Sequence, residues 1–105
     1  MIIDGKDLQV SELSLNQCLS IMLIASYLYY IRYQSVITDY EFDAIAVRLR
    51  GNWGDVTHPH KHLVSVGNLR AGSLFDFGFE DYPLIVKGAA EDWLRVLESG
   101  KVAGD

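Results

Sequence analysis

"SYLYYIRYQSVITDYEFDAI", residues 26–45, puts six aromatic rings, two aspartates and a glutamate into twenty positions. It closes one apolar segment and opens another. Thr38 is an N-cap residue, and Glu41 three positions later completes a capping box. Ile37 before the cap and Phe42 at the fourth helical position form a hydrophobic staple. Moving forward, Arg48 and Arg50 fall in the last turn, where positive charge suits the helix dipole, and Gly51 supplies the stop. Moving backward, Ser14 and Gln17 resemble a second capping box. The preceding helix is therefore predicted to start near Ser11 or Ser14 and to reach about Tyr33. Residues 34–38 leave room only for a tight link, so residues 11–50 are expected to form an antiparallel helical hairpin.

Outward from the hairpin the signals change. Residues 1–10 read as a short strand or extended arm with an Asp4–Gly5 turn. Beyond Gly51, "GNWGD" is a turn-rich loop. "HLVSVGNL" (62–69), "SLFDFGF" (73–79) and "YPLIVKG" (82–88) are short β-rich stretches broken by glycine, and they predict two or three small strands. Gly67, Gly72 and Gly78 are too dispersed to cradle a phosphate and read as turns. "AAEDWLRVLESG" (89–100) reads as a final helix with Gly100 as its stop, and "KVAGD" (101–105) as a frayed end. The fold class expected is α+β: a single domain, residues 1–105, with a helical N-terminal half and a small α+β portion over residues 51–105.

Composition narrows the function. A chain of 105 residues suits one modest core, and 50% hydrophobic content argues against disorder. The formal net charge of −5 disfavours direct nucleic-acid binding, which needs a basic face. Cys18, the single cysteine, lies in an apolar stretch and reads as a buried free thiol. Together with the lack of a secretory signal at the start, it fits a cytoplasmic setting. Residues 13–31 carry no charge, but Ser14, Asn16, Gln17, Ser20 and Ser26 interrupt them, so a buried soluble helix is expected and not a membrane span.

Tyr27-Leu28-Tyr29-Tyr30 and the later Ile37-Thr38-Asp39-Tyr40-Glu41-Phe42-Asp43 resemble the N-terminal subdomain Ia of bacterial NAD-dependent DNA ligases. The resemblance covers about residues 25–49. In that family a Tyr-x-Tyr-His run ends one helix and Ile-x-Asp-x-Glu-Tyr-Asp starts the next, and the hairpin holds the nicotinamide mononucleotide (NMN) half of NAD. The resemblance implies a ligand site at Tyr29, Tyr30, Asp39, Phe42 and Asp43, with NMN or NAD as the ligand. Tyr29, Asp39 and Asp43 match the family pattern directly. Tyr30 stands where the ligases have histidine, and Phe42 where they have their second tyrosine. A pyridinium is flat and cationic, so aromatic faces and nearby carboxylates suit it. Asp39 and Asp43 lie four apart, on one helix face. The same residues also fit plain packing, with Tyr27, Tyr30 and Phe42 as core and Asp39 favouring the helix N-terminus.

None of Lys6, Lys61, Lys87 or Lys101 opens a Lys-x-Asp-Gly motif, so no lysyl–AMP chemistry is expected. No nucleophile–base pair supports another enzyme. His58, His60 and His62 alternate in "THPHKHL" and are the weak candidates for a metal; a solvated loop is the simpler account, since Pro59 opposes a regular strand. The reading favoured is a non-catalytic protein-interaction or regulatory factor on a ligase-like scaffold, with an unidentified protein partner and a provenance in a phage or mobile element. The alternative is a binding module for NMN, NAD or a related nicotinamide compound.

Overall fold

The structure is a computed structural model that describes residues 1–3, 6–74 and 76–103, with side chains described for residues 1, 6–74 and 76–98. Its centre follows from the charge-free segment. Helix α1 (Leu15–Tyr30) buries Cys18, Leu19, Ile21, Met22, Leu23, Ala25, Ser26, Tyr27 and Leu28, which point in nearly every direction around its axis. A helix apolar all round must be covered all round. Helix α2 (Asp39–Gly51) and helix α4 (Leu84–Ala103) both pack on α1. The polar residues of α1 hold the loop that follows α2. Asn16 Nδ2 donates to Thr57 Oγ1 at 3.0 Å, and the Thr57 amide donates to Asn16 Oδ1 at 3.1 Å. Ser20 Oγ lies 2.7 Å from His58 Nε2. Among the described residues no helix is long and apolar enough to cross a membrane.

Both helix starts expected from capping boxes are present. Ser14 precedes α1, its side chain accepting from the Gln17 amide while Gln17 Oε1 takes the Ser14 amide at 2.7 Å. Thr38 and Glu41 make the same pair at α2, at 3.0 and 2.8 Å. Thr38→Ala should lower stability by about 1 kcal/mol. A shift of the urea midpoint at unchanged slope would read this loss, and an unmoved midpoint would show the box to be idle. Near the other end of α2, Arg48 Nη1 donates to the Val10 carbonyl at 2.6 Å and reaches Cys18 Sγ at 3.5 Å, close to the start of α1. Cys18 is fully buried, as expected, and burial pushes its thiol pKa up against the opposing pull of Arg48.

Two helix ends depart from expectation. α1 stops at Tyr30, not Tyr33, because Tyr33 takes a left-handed backbone at φ 56° and the Gln34 amide folds back onto the Leu28 carbonyl at 2.8 Å. A side chain in that region costs about 1–3 kcal/mol, so surrounding contacts must hold the turn. Gly51 is the last residue of α2 and not its stop. Asn52 closes the helix, its Nδ2 donating to the Arg48 carbonyl at 2.9 Å.

The second half is helical where strands were expected, so the chain is mostly helical and the α+β class holds only weakly. Among the described residues the one sheet is β1 (Ile2–Ile3) antiparallel to β2 (Lys6–Asp7); the Asp4–Gly5 turn expected between them lies outside the described residues. Where a strand was expected over residues 62–69, a 3-10 turn at Lys61–Leu63 is followed by helix α3 (Val66–Ala71), which packs on α2. Ser65 caps α3, with Asn68 returning its side chain to the Ser65 amide at 3.0 Å. Asn in place of the usual Glu or Gln hid this box. Gly72, at φ 64°, gives α3 a left-handed stop. Residues 73–79 hold no strand among those described, and Phe79–Asp81 is another 3-10 turn. The apolar run after Pro83 begins α4. Val86, Ala90 and Leu94 are buried four apart, so this stripe stabilises helix over the β propensity of Ile85 and Val86. α4 also runs past Gly100 to Ala103, and Gly104 and Asp105 lie outside the described residues.

Candidate functional site

Three separate segments enclose one cleft. The end of α1 contributes Ala25, Ser26, Tyr29 and Tyr30. The link and the start of α2 contribute residues 35–39 together with Phe42 and Asp43. The turn after α3 contributes Gly72. The cavity measures about 320 Å³, at the lower end of the range of small-molecule sites. All five residues singled out by the resemblance line it: Tyr29, Tyr30, Asp39, Phe42 and Asp43.

The walls are specific in geometry. The Tyr29 and Tyr30 rings meet edge to face, 5.0 Å apart at 86°. Tyr29 is half exposed, so its ring is free to meet a ligand. The Tyr30 hydroxyl lies 2.8 Å from Ser73 Oγ, which ties the end of α1 to the turn after α3. Asp39 and Asp43 are exposed on α2, and Phe42 between them is half buried against the core. A Cβ at Gly72 would stand 3.4 Å from Asp43 Oδ1, so both its left-handed backbone and its proximity to the cleft favour glycine. The turn is held by Asn68, 9% exposed, whose Nδ2 donates to Asp76 Oδ1 at 3.0 Å. Tyr29, Tyr30, Tyr33 and Ser35 also frame a shallower depression beside the cleft.

Sequence reasoning did not find Gly72 or Ser73. Gly72 was legible as a turn but nothing linked that turn to α1 and α2. Ser73 meets Tyr30 across 43 positions, a contact that no local pattern announces. Buried Ser26, whose Oγ lies 2.8 Å from Tyr82 OH, was likewise read only as a polar interruption in α1.

The three histidines do not lie along a strand. They follow one another through a turn, with ring centroids 5.5 Å apart for His58–His60 and 6.4 Å apart for His60–His62. His58 Nδ1 accepts from the His60 amide at 3.0 Å. Its Nε2 therefore carries the proton and donates to Ser20 Oγ. Both nitrogens are engaged, and that tautomer cannot take a proton from Ser20. Burial, then the neighbouring His60, lowers the His58 pKa. Among the described residues no group of three or more His, Cys, Asp or Glu side chains is placed to hold a metal ion.

The chain is thus mostly helical, with a cavity of about 320 Å³ lined by aromatic and acidic residues. Comparisons with protein-family models, with curated proteins and with solved structures give no match.

Proposed function

We propose that the chain is a small non-catalytic module that holds a nicotinamide-bearing ligand in this cleft. In this reading α1 and α2 form an antiparallel hairpin like subdomain Ia of the NAD-dependent DNA ligases. One observation carries it: the five residues that the resemblance singles out converge on a single cavity of about 320 Å³. The rings of Tyr29, Tyr30 and Phe42 offer π surface to a flat cation, and Asp39 and Asp43 add favourable charge. Two substituted side chains alone weigh toward a protein-interaction role, but a formed cavity weighs more. Tyr30 keeps a polar anchor through Ser73, and Phe42 keeps its ring.

Calorimetric titration with NMN, NAD and ADP-ribose tests the reading. Heat is expected with the two nicotinamide compounds and not with ADP-ribose. Tyr29→Ala and Asp43→Asn should each weaken binding by about 1 kcal/mol, from lost stacking and lost charge. If both variants bind as the parent does, the residue assignment is wrong. The absence of Lys-x-Asp-Gly supports a non-catalytic role, so incubation with labelled NAD should leave every lysine unmodified. A lysine-linked adenylate in the mass spectrum would overturn that part.

A second reading, a protein-interaction or regulatory factor of phage or mobile-element origin, is favoured by the exposure of Tyr33 (85%) and Tyr40 (83%) close to the cleft. Absence of binding by every nicotinamide compound at millimolar concentration would favour it. Both readings suit a reducing, cytoplasmic setting, supported by the free buried thiol of Cys18.

A further inference from the structure

We infer that the cleft selects an N-substituted pyridinium that carries no phosphate. This rests on the reading of the cavity as a nicotinamide site, and it concerns which nicotinamide compound that site takes. Among the described residues the lining holds two carboxylates, Asp39 and Asp43, and no lysine, arginine or histidine. A phosphate brought into a cavity of about 320 Å³ would sit near both aspartates without a counter-charge.

Two nearby features that would serve a phosphate are wholly or partly engaged. Arg32, two residues beyond α1, pairs with Glu91 on α4. The start of α2, which favours an anion, is partly capped from within. The Glu41 amide goes to Thr38 Oγ1, the Phe42 amide to the Thr38 carbonyl, and the Thr38 amide to Glu41 Oε1. Asp39 adds negative charge to the same first turn, where Glu41 is paired with the Met1 ammonium at 2.9 Å. Gly72 opens the cleft opposite Asp43, but it is the left-handed stop of α3, a helix of six residues, and it brings no cation.

The remaining chemistry is complementary to a flat cation. Tyr29 presents an exposed ring, the half-buried ring of Phe42 lies on the α2 wall, and both aspartates are on solvent-exposed positions of that wall. A neutral nicotinamide would keep the stacking and lose the charge attraction. A mononucleotide would keep both and gain a repulsion. A pyridinium nucleoside or N-methyl pyridinium keeps both without that penalty.

The experiment is a set of calorimetric titrations of the full chain at low salt with four probes: nicotinamide riboside, 1-methylnicotinamide, NMN and neutral nicotinamide. The two phosphate-free cations should bind roughly tenfold more tightly than NMN, the order of one screened charge repulsion at close range. They should also exceed nicotinamide. Raising the salt should narrow the gap between riboside and NMN. An Asp39→Asn/Asp43→Asn double variant, checked for helix content by circular dichroism, should abolish that gap by weakening the riboside roughly tenfold more than it weakens NMN. NMN binding as tightly as the riboside, or more tightly, overturns the inference and leaves the nicotinamide reading standing. A gap that persists in the double variant also overturns it, since the aspartates would not be its cause. Binding by none of the four overturns both. In a fifth titration, choline binding more tightly than 1-methylnicotinamide would show a preference for cations without a flat ring, and would overturn the pyridinium assignment.

Discussion

Tyr82→Ala should destabilise the fold by about 3–5 kcal/mol, the usual cost of removing a large buried ring. Tyr82 is 2% exposed and stands just before α4. Its ring meets Tyr27 edge to face at 5.4 Å and Phe77 at 5.3 Å. Its hydroxyl lies 2.8 Å from Ser26 Oγ, which is 1% exposed. One side chain therefore joins the central helix, the loop after α3 and the start of α4. Truncation leaves a cavity and an unpaired serine hydroxyl. Tyr82→Phe separates the two effects. It keeps the ring and should cost about 1–3 kcal/mol for the orphaned Ser26 hydroxyl. Urea unfolding of the two variants checks the order. Equal losses would mean that the ring packing contributes little beyond the hydrogen bond.

The same hydroxyl should make the protein sensitive to alkali. Burial pushes the Tyr82 pKa up to about 12, against the opposing bond from Ser26 and with help from the charges of Tyr30, Asp76 and Asp81. The ordinary value is about 10. Between these values the unfolded chain releases the proton and the folded chain keeps it. The folded state then binds more protons, so stability falls as pH rises. The contribution is intact below pH about 10 and is lost by about pH 12. Two units correspond to about 3 kcal/mol. Denaturation midpoints of the parent and Tyr82→Phe, measured from pH 9 upward, should converge, because the variant has no phenol to ionise at this site. Parallel curves would show that Tyr82 does not drive the loss.

What could be read in advance was what is local. Ser14 with Gln17 and Thr38 with Glu41 are self-contained signals, so both helix starts were legible. The charge-free run was legible as a buried helix, because Asn16 and Ser20 are polar enough to need partners and apolar neighbours surround them. The second half was misread for two physical reasons. Ile85 and Val86 favour strands in isolation, but the buried stripe of Val86, Ala90 and Leu94 rewards a helix that only tertiary contact with α1 can complete. Asn68 acts in a capping box where Glu or Gln is the usual signature. For the cleft, the two walls within residues 26–43 were legible from the motif. The third, at Gly72, depends on how α3 packs on α2, which the sequence does not print.

The bond between Tyr30 and Ser73 also bears on how this molecule can be divided. Excising residues 11–50 would keep every residue that carries the family resemblance, yet would delete the turn that anchors Tyr30 and faces Asp43. It would also remove Tyr82 and the whole of α4 from the sides of α1, exposing apolar surface on a segment that has no charge of its own. The cleft is thus a property of chain closure and not of residues 26–43 alone. Grafting the motif alone into another host would transfer the letters without the cavity, unless the host supplies a close-fitting glycine turn of its own.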